Sequence, residues 1–134
     1  MNWPALLLTF GSLFAVACGR SSMMDSSALT QPTELAPGQT AQVGSLRITF
    51  TGVTGDSRCP VDVVCVWEGD AVVRLSLRQS SGDAETRELH TADGRAVTFG
   101  GFSIALVRLD PAPRSTQPIP PASYRLVVRV SPES

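Results

Sequence analysis

Residues 56–78 read DSRCPVDVVCVWEGDAVVRLSLR, and the two halves of this stretch carry different patterns. In the second half Val73, Leu75 and Leu77 alternate with Arg74, Ser76 and Arg78. Successive side chains of a strand point to opposite faces, so this is a strand with one apolar and one polar side. The first half places Cys59 and Cys65 six positions apart, with Pro60 after the first and Trp67 two residues past the second. Asp56, Arg58, Asp62, Glu68 and Asp70 surround them. The stretch therefore reads as a cysteine-closed loop feeding a strand.

On either side of it the same period of two recurs. Leu46, Ile48 and Phe50 alternate with Arg47, Thr49 and Thr51. A short strand over 40–43 precedes them, joined by a turn at Gly44-Ser45. Downstream, Ser80-Ser81-Gly82-Asp83 ends the strand of the opening stretch. Strand candidates lie at 86–91 and 96–99, with a turn at Ala92-Asp93-Gly94 between them, and Gly100-Gly101 breaks the chain. Phe102, Ile104 and Leu106 alternate again, with a phase shift near Val107-Arg108-Leu109 that predicts a bulge. Tyr124, Leu126, Val128 and Val130 form the last strand. The segment 110–122, DPAPRSTQPIPPA, reads as a stiff connector, because proline is not accommodated in a central strand; a polyproline recognition segment is the functional alternative. The expectation is an all-β domain over 39–131, a small antiparallel sandwich or barrel of about seven strands, immunoglobulin-like in size.

Composition narrows the function classes. The formal net charge is −1, and all eleven basic residues are arginine. Neither a nucleic-acid nor an anionic-membrane footprint is visible in that balance.

Residues 5–17, ALLLTFGSLFAVA, carry no charge. A membrane-spanning helix needs about 20 such residues, so this run fits the apolar core of an export signal over 1–17. It ends in Ala15-Val16-Ala17-Cys18-Gly19, which resembles the lipobox of bacterial lipoproteins, with Ala15 where leucine is usual. The resemblance implies that Cys18 receives a diacylglyceryl thioether and becomes an acylated, palmitate-type N-terminus in the cell envelope. It further implies, since Gly19 and not aspartate comes next, an outer-membrane address if the cell is Gram-negative. Residues 18–38 would then be the lipidated cysteine and a Ser-rich tether, and 132–134 a C-terminal tail. Met23-Met24 within the tether carries no ligand pattern beyond the pair itself.

With Cys18 used for the anchor, Cys59 and Cys65 remain in an exported chain, where a bridge is expected. A ring this short contributes about 2 kcal/mol by the chain-entropy argument. A redox dithiol sits closer, as Cys-x-x-Cys, and a metal site needs more ligands than His90 and scattered acids offer. No cofactor is expected.

The block Asp56-Ser57-Arg58-Cys59-Pro60 with Val63-Val64-Cys65-Val66-Trp67-Glu68-Gly69 resembles a motif in a group of bacterial secreted proteins and lipoproteins, written D-S-R-C-P, a few residues, then V-x-C-V-W-x-G. The likeness covers about 39–131 and implies a β-rich exported domain with no assigned catalytic residue.

The loop admits three readings. As structure, it caps the core with Trp67 packed over the bridge or into one end of the sandwich. As a binding element, Arg58, Trp67 and Glu68 present a pre-organised surface to an envelope protein, peptide or glycan, a protease-inhibitor loop being one special case. As an enzyme, the acids near the loop would work with His90, although no nucleophile elbow or phosphate loop is present. The expectation is a membrane-anchored binding module and not an enzyme.

Overall fold

A computed structural model describes residues 31–133; the expected export signal over 1–17, Cys18 and Met23-Met24 lie outside them. Eight strands form two antiparallel sheets. In chain order they are β1 (Pro32–Leu35), β2 (Thr40–Val43), β3 (Leu46–Asp56), β4 (Ala71–Gln79), β5 (Glu85–His90), β6 (Val97–Phe99), β7 (Phe102–Asp110) and β8 (Arg125–Pro132). One sheet has the order β2-β3-β4-β5, a simple meander; the other has the order β1-β8-β7-β6. The sheets stack face to face as a small sandwich and do not close into a barrel.

The period-two pattern is what builds the core. Leu46, Ile48 and Phe50 of β3 and Val73, Leu75 and Leu77 of β4 are fully buried. From the other sheet come Ile104, Leu126, Val128 and Val130. Register fixes which face is inside: Phe50 lies opposite Leu75 and Ile48 opposite Leu77, so a slip of one residue would turn every one of these side chains to water.

Local irregularities shape the ends. The bulge expected in β7 occurs as a register shift between Leu106 and Arg108. β3 carries two further shifts, between Phe50 and Gly52 and between Val53 and Gly55, which re-aim its last residue, Asp56. Gly100 and Gly101 are the two central residues of the β6–β7 hairpin, with φ of 56° and 83°. A two-residue turn with positive φ at both positions matches the twist of the strands it joins, and glycine adopts it without strain.

The sheet domain extends beyond the span 39–131 read from the sequence. Residues 32–35, assigned to the tether, pair with β8, and Leu35 is buried. At the other end β8 continues to Pro132, and the Glu133 N–H donates to the Gly101 carbonyl at 2.8 Å. A four-residue strand with a single buried side chain shows no period, which is why β1 reads as linker.

Strand direction gives the sandwich two distinct poles. The loop that joins β3 to β4 projects from the end where β7 finishes and β8 begins. β1 is antiparallel to β8, with Pro32 opposite Arg129 and Leu35 opposite Leu126. The chain therefore enters the domain running toward the loop end. The β2–β3 and β4–β5 turns lie at the opposite pole.

Candidate functional site

The loop between β3 and β4 is built on a short ladder. The Ser57 N–H donates to the Asp70 carbonyl at 2.7 Å and the Cys59 N–H to the Glu68 carbonyl at 2.7 Å. The Ser57 hydroxyl accepts from the Asp70 N–H at 3.1 Å. Beyond these rungs Cys59 and Cys65 are bridged, with an S–S distance of 2.07 Å, as the cysteine count leads one to expect.

Gly69 makes the ladder possible. Its φ is 71°, and a Cβ there would run into the Ser57 carbonyl. Gly69→Ala is therefore expected to cost about 1–3 kcal/mol, measured as a lower urea midpoint. An unchanged midpoint would mean that the rungs at Ser57 and Cys59 do not hold the loop.

Arg58 ties the loop to the other sheet. Its Nε and one terminal nitrogen donate to the two carboxylate oxygens of Asp56, each at 2.8 Å. The remaining donors reach the Leu109 carbonyl at 2.9 Å and the Pro111 carbonyl at 3.0 Å. The Tyr124 hydroxyl donates to Asp56 at 2.9 Å. Desolvation pushes the Asp56 carboxyl up, but the hydrogen bonds from Arg58 and Tyr124 outweigh it and hold the group below the usual carboxylate value. Desolvation and the Asp56 charge push the Tyr124 phenol up to about 12, so it stays a donor. The guanidinium is held in its charged form by the hydrogen bond to Asp56.

The proline-rich segment buttresses the loop from outside. The Val61 N–H donates to the Pro113 carbonyl at 2.9 Å. Asp62 accepts from the Ser115 N–H at 2.9 Å and from its hydroxyl at 2.6 Å, and these bonds hold its carboxyl below the ordinary value. The connector reading of 110–122 thus acquires a specific contact partner.

Trp67 corrects one expectation. It packs neither over the bridge nor into the sandwich, but stands 82% exposed. Asp56, Arg58 and Tyr124 already close that end of the sandwich, and the disulfide ring faces the proline segment, so no inward side remains for the indole. Val61, Val63, Val64 and Val66 are exposed with it; among the described residues the one other exposed large apolar side chain is Val107. The tip is therefore a concentrated apolar patch on a braced loop.

The candidates from the sequence separate accordingly. Arg58 is an internal tie, with most of its donors spent on protein acceptors. Trp67 lies at the exposed tip, and Glu68 lines a shallow groove of about 360 Å³ with Arg58, Val61, Thr91 and Pro113. His90 joins neither Asp56 nor Glu68; its Nδ1 lies 2.6 Å from an Asp70 oxygen. Asp70 also accepts from the Thr91 hydroxyl and the Ala92 N–H, fastening the base of the loop to the end of β5. Among the described residues no cluster of three His, Cys, Asp or Glu side chains could hold a metal ion, and no helix is long and apolar enough to cross a membrane.

The His90–Asp70 pair gives the domain a pH signature. The hydrogen bond to Asp70 raises the imidazole above its ordinary 6.5, against a smaller desolvation effect. Desolvation raises the Asp70 carboxyl, but the bonds from His90, Ala92 and Thr91 together bring it below 3.8. The His90 contribution is complete below its unfolded value and is lost as pH rises through the raised folded one; the Asp70 contribution is complete above 3.8 and is lost as pH falls through the lowered value. The gap in urea midpoint between wild type and His90→Gln should thus be widest near about pH 5 and close on the alkaline side. A gap independent of pH would rule out the ion pair.

Comparison with family models, with curated proteins and with solved structures finds no match for this chain.

Proposed function

We propose that this chain is a lipid-anchored protein of the bacterial cell envelope whose β-sandwich serves as a binding module. The anchor is Cys18 within its lipobox-like context, and the contact surface is the apolar tip of the disulfide loop. The observation that carries the binding role is the tip itself: Val61, Val63, Val64, Val66 and Trp67 exposed together on a loop braced by a bridge, two ladder rungs and Arg58. Contiguous exposed apolar side chains mark interaction sites, and tryptophan is a frequent anchor of them. A loop already held in shape loses little entropy on binding. The chemistry of the tip suits an apolar surface of a protein or peptide better than a glycan, since the indole N–H is its one side-chain donor.

The enzyme alternative finds less support. Asp56 is spent on Arg58 and Tyr124; His90 does meet one acid, Asp70, but the groove that holds Glu68 and the one that holds Asp56 are separate, and neither includes His90.

Site-specific photocrosslinking in intact cells tests the reading. A photoreactive residue at Val64 should give a discrete adduct, and one at Thr86, exposed on the sheet face, should not. Absence of adduct at both positions would overturn the binding role. A Cys18→Ala chain that still fractionates with membranes would overturn the anchor.

A further inference from the structure

At the pole opposite the loop, Arg47 of β3 lies directly across from Arg78 of β4. Like charges in directly opposed cross-strand positions repel. Four of the ten arginines among the described residues are paired with a carboxylate: Arg58 with Asp56, Arg74 with Glu88, Arg87 with Glu85 and Arg108 with Asp110. Among the described residues no carboxylate lies within ion-pairing distance of Arg47 or Arg78.

The two arginines share a concave pocket of about 190 Å³ with Gln42, Ser45, Gln79 and Ser80. Every wall residue is cationic or neutral, with hydroxyl and amide donors and no acid. The walls are tied in place. Gln42 donates to the Gly44 carbonyl at 3.2 Å, Gln79 to the Gly100 carbonyl at 2.6 Å, and the Ser80 hydroxyl to the Ser45 carbonyl at 3.5 Å. Arg78 spends its Nε on the Gly82 carbonyl at 3.0 Å, which orients the guanidinium and leaves its terminal nitrogens for a ligand.

We infer that this pocket binds a phosphate group, held between the guanidinium groups of Arg47 and Arg78. A tetrahedral oxyanion offers several acceptor oxygens, enough to meet both planar forks and a serine hydroxyl at once. It removes the like-charge conflict that the pair otherwise carries. Two sources share this chemistry: free phosphate, and the headgroup phosphate of a lipid. The position of the pocket favours the second. It lies at the pole away from the loop, the side from which β1 enters, and so is the end nearest the point where a chain anchored at Cys18 would join the domain; that preference rests on the anchored reading, whereas the phosphate site itself does not.

The test uses the exported domain and inorganic phosphate, against chloride at matched ionic strength. Amides of residues 45–47 and 78–80 should show saturable NMR shifts with phosphate, and Arg47→Gln or Arg78→Gln should weaken binding at least about tenfold. In phosphate-free buffer Arg47→Gln should match or exceed wild type in Tm, because the repulsion is relieved without loss of the Arg78 bond to Gly82; phosphate should then raise the Tm of wild type and not of this variant. A second arm floats the domain with vesicles containing phosphatidic acid. Flotation lost in Arg47→Gln assigns the lipid source, and phosphate binding without flotation assigns the free anion. Shifts that persist in both variants, no saturable shift, or an Arg47→Gln domain less stable than wild type without phosphate would each overturn the site.

Discussion

Arg58→Ala should lower the stability of the domain by about 3 kcal/mol, read as a fall in Tm on the order of 10–20 °C. The guanidinium is the hub of one end of the sandwich. Its side chain is 15% exposed and that of Asp56 is 13% exposed, so the pair is mostly out of water. Removing one partner leaves the Asp56 charge with only the Tyr124 hydroxyl and the residue-58 backbone N–H; it also unpairs the part-buried Leu109 carbonyl and returns the exposed Pro111 carbonyl to water. Those acceptors belong to the sheet opposite Asp56 and the segment that leaves it, so the seam between the two sheets opens at that end. Arg58→Lys should recover only part of the loss, because an ammonium cannot form the two-point contact with the carboxylate while also reaching both carbonyls. A lysine variant as stable as wild type would show that charge alone, without the forked geometry, holds the seam.

Trp67→Ala should act in the opposite way. Its indole is exposed and makes no hydrogen bond among the described residues, so stability should change by no more than about 0.5 kcal/mol. Contact with the partner should weaken by about 2 kcal/mol or more, a loss of roughly thirtyfold, seen as a collapse of the Val64 crosslink. The two readouts separate fold from contact. A destabilised Trp67→Ala domain would return the indole to the fold, and a stable domain with an undiminished crosslink would move the contact away from the tip.

These two residues show where the sequence can be read and where it cannot. Leu46, Ile48 and Phe50, and Val73, Leu75 and Leu77, declare a buried strand face because burial on a pleated sheet has a period. The β7 bulge is visible as a break in that period. The cysteine pair is visible because two thiols six positions apart, with no further ligand residues beside them, have few uses other than a bridge. Trp67 has no such signal. In a loop, burial depends on what arrives from elsewhere, and the end of the sandwich is filled by Tyr124, a residue 68 positions from the Asp56 it binds. His90 and Asp70 meet across 20 positions for the same reason. Nothing local in either neighbourhood marks the partner. β1 escapes because four residues are too few to show alternation.

The bridge between Cys59 and Cys65 has one more consequence. The exposed peptide bonds between Val61 and Val64 lie inside the ring that it closes. A protease cutting after Val61, Val63 or Val64 would sever the backbone and release nothing, since both new ends stay fastened through the sulfur atoms and the rungs at Ser57 and Cys59. Intact and nicked protein would run together on a non-reducing gel and separate into two fragments only once thiol is added. Within the ring, an exposed stretch can thus be cut without the domain coming apart.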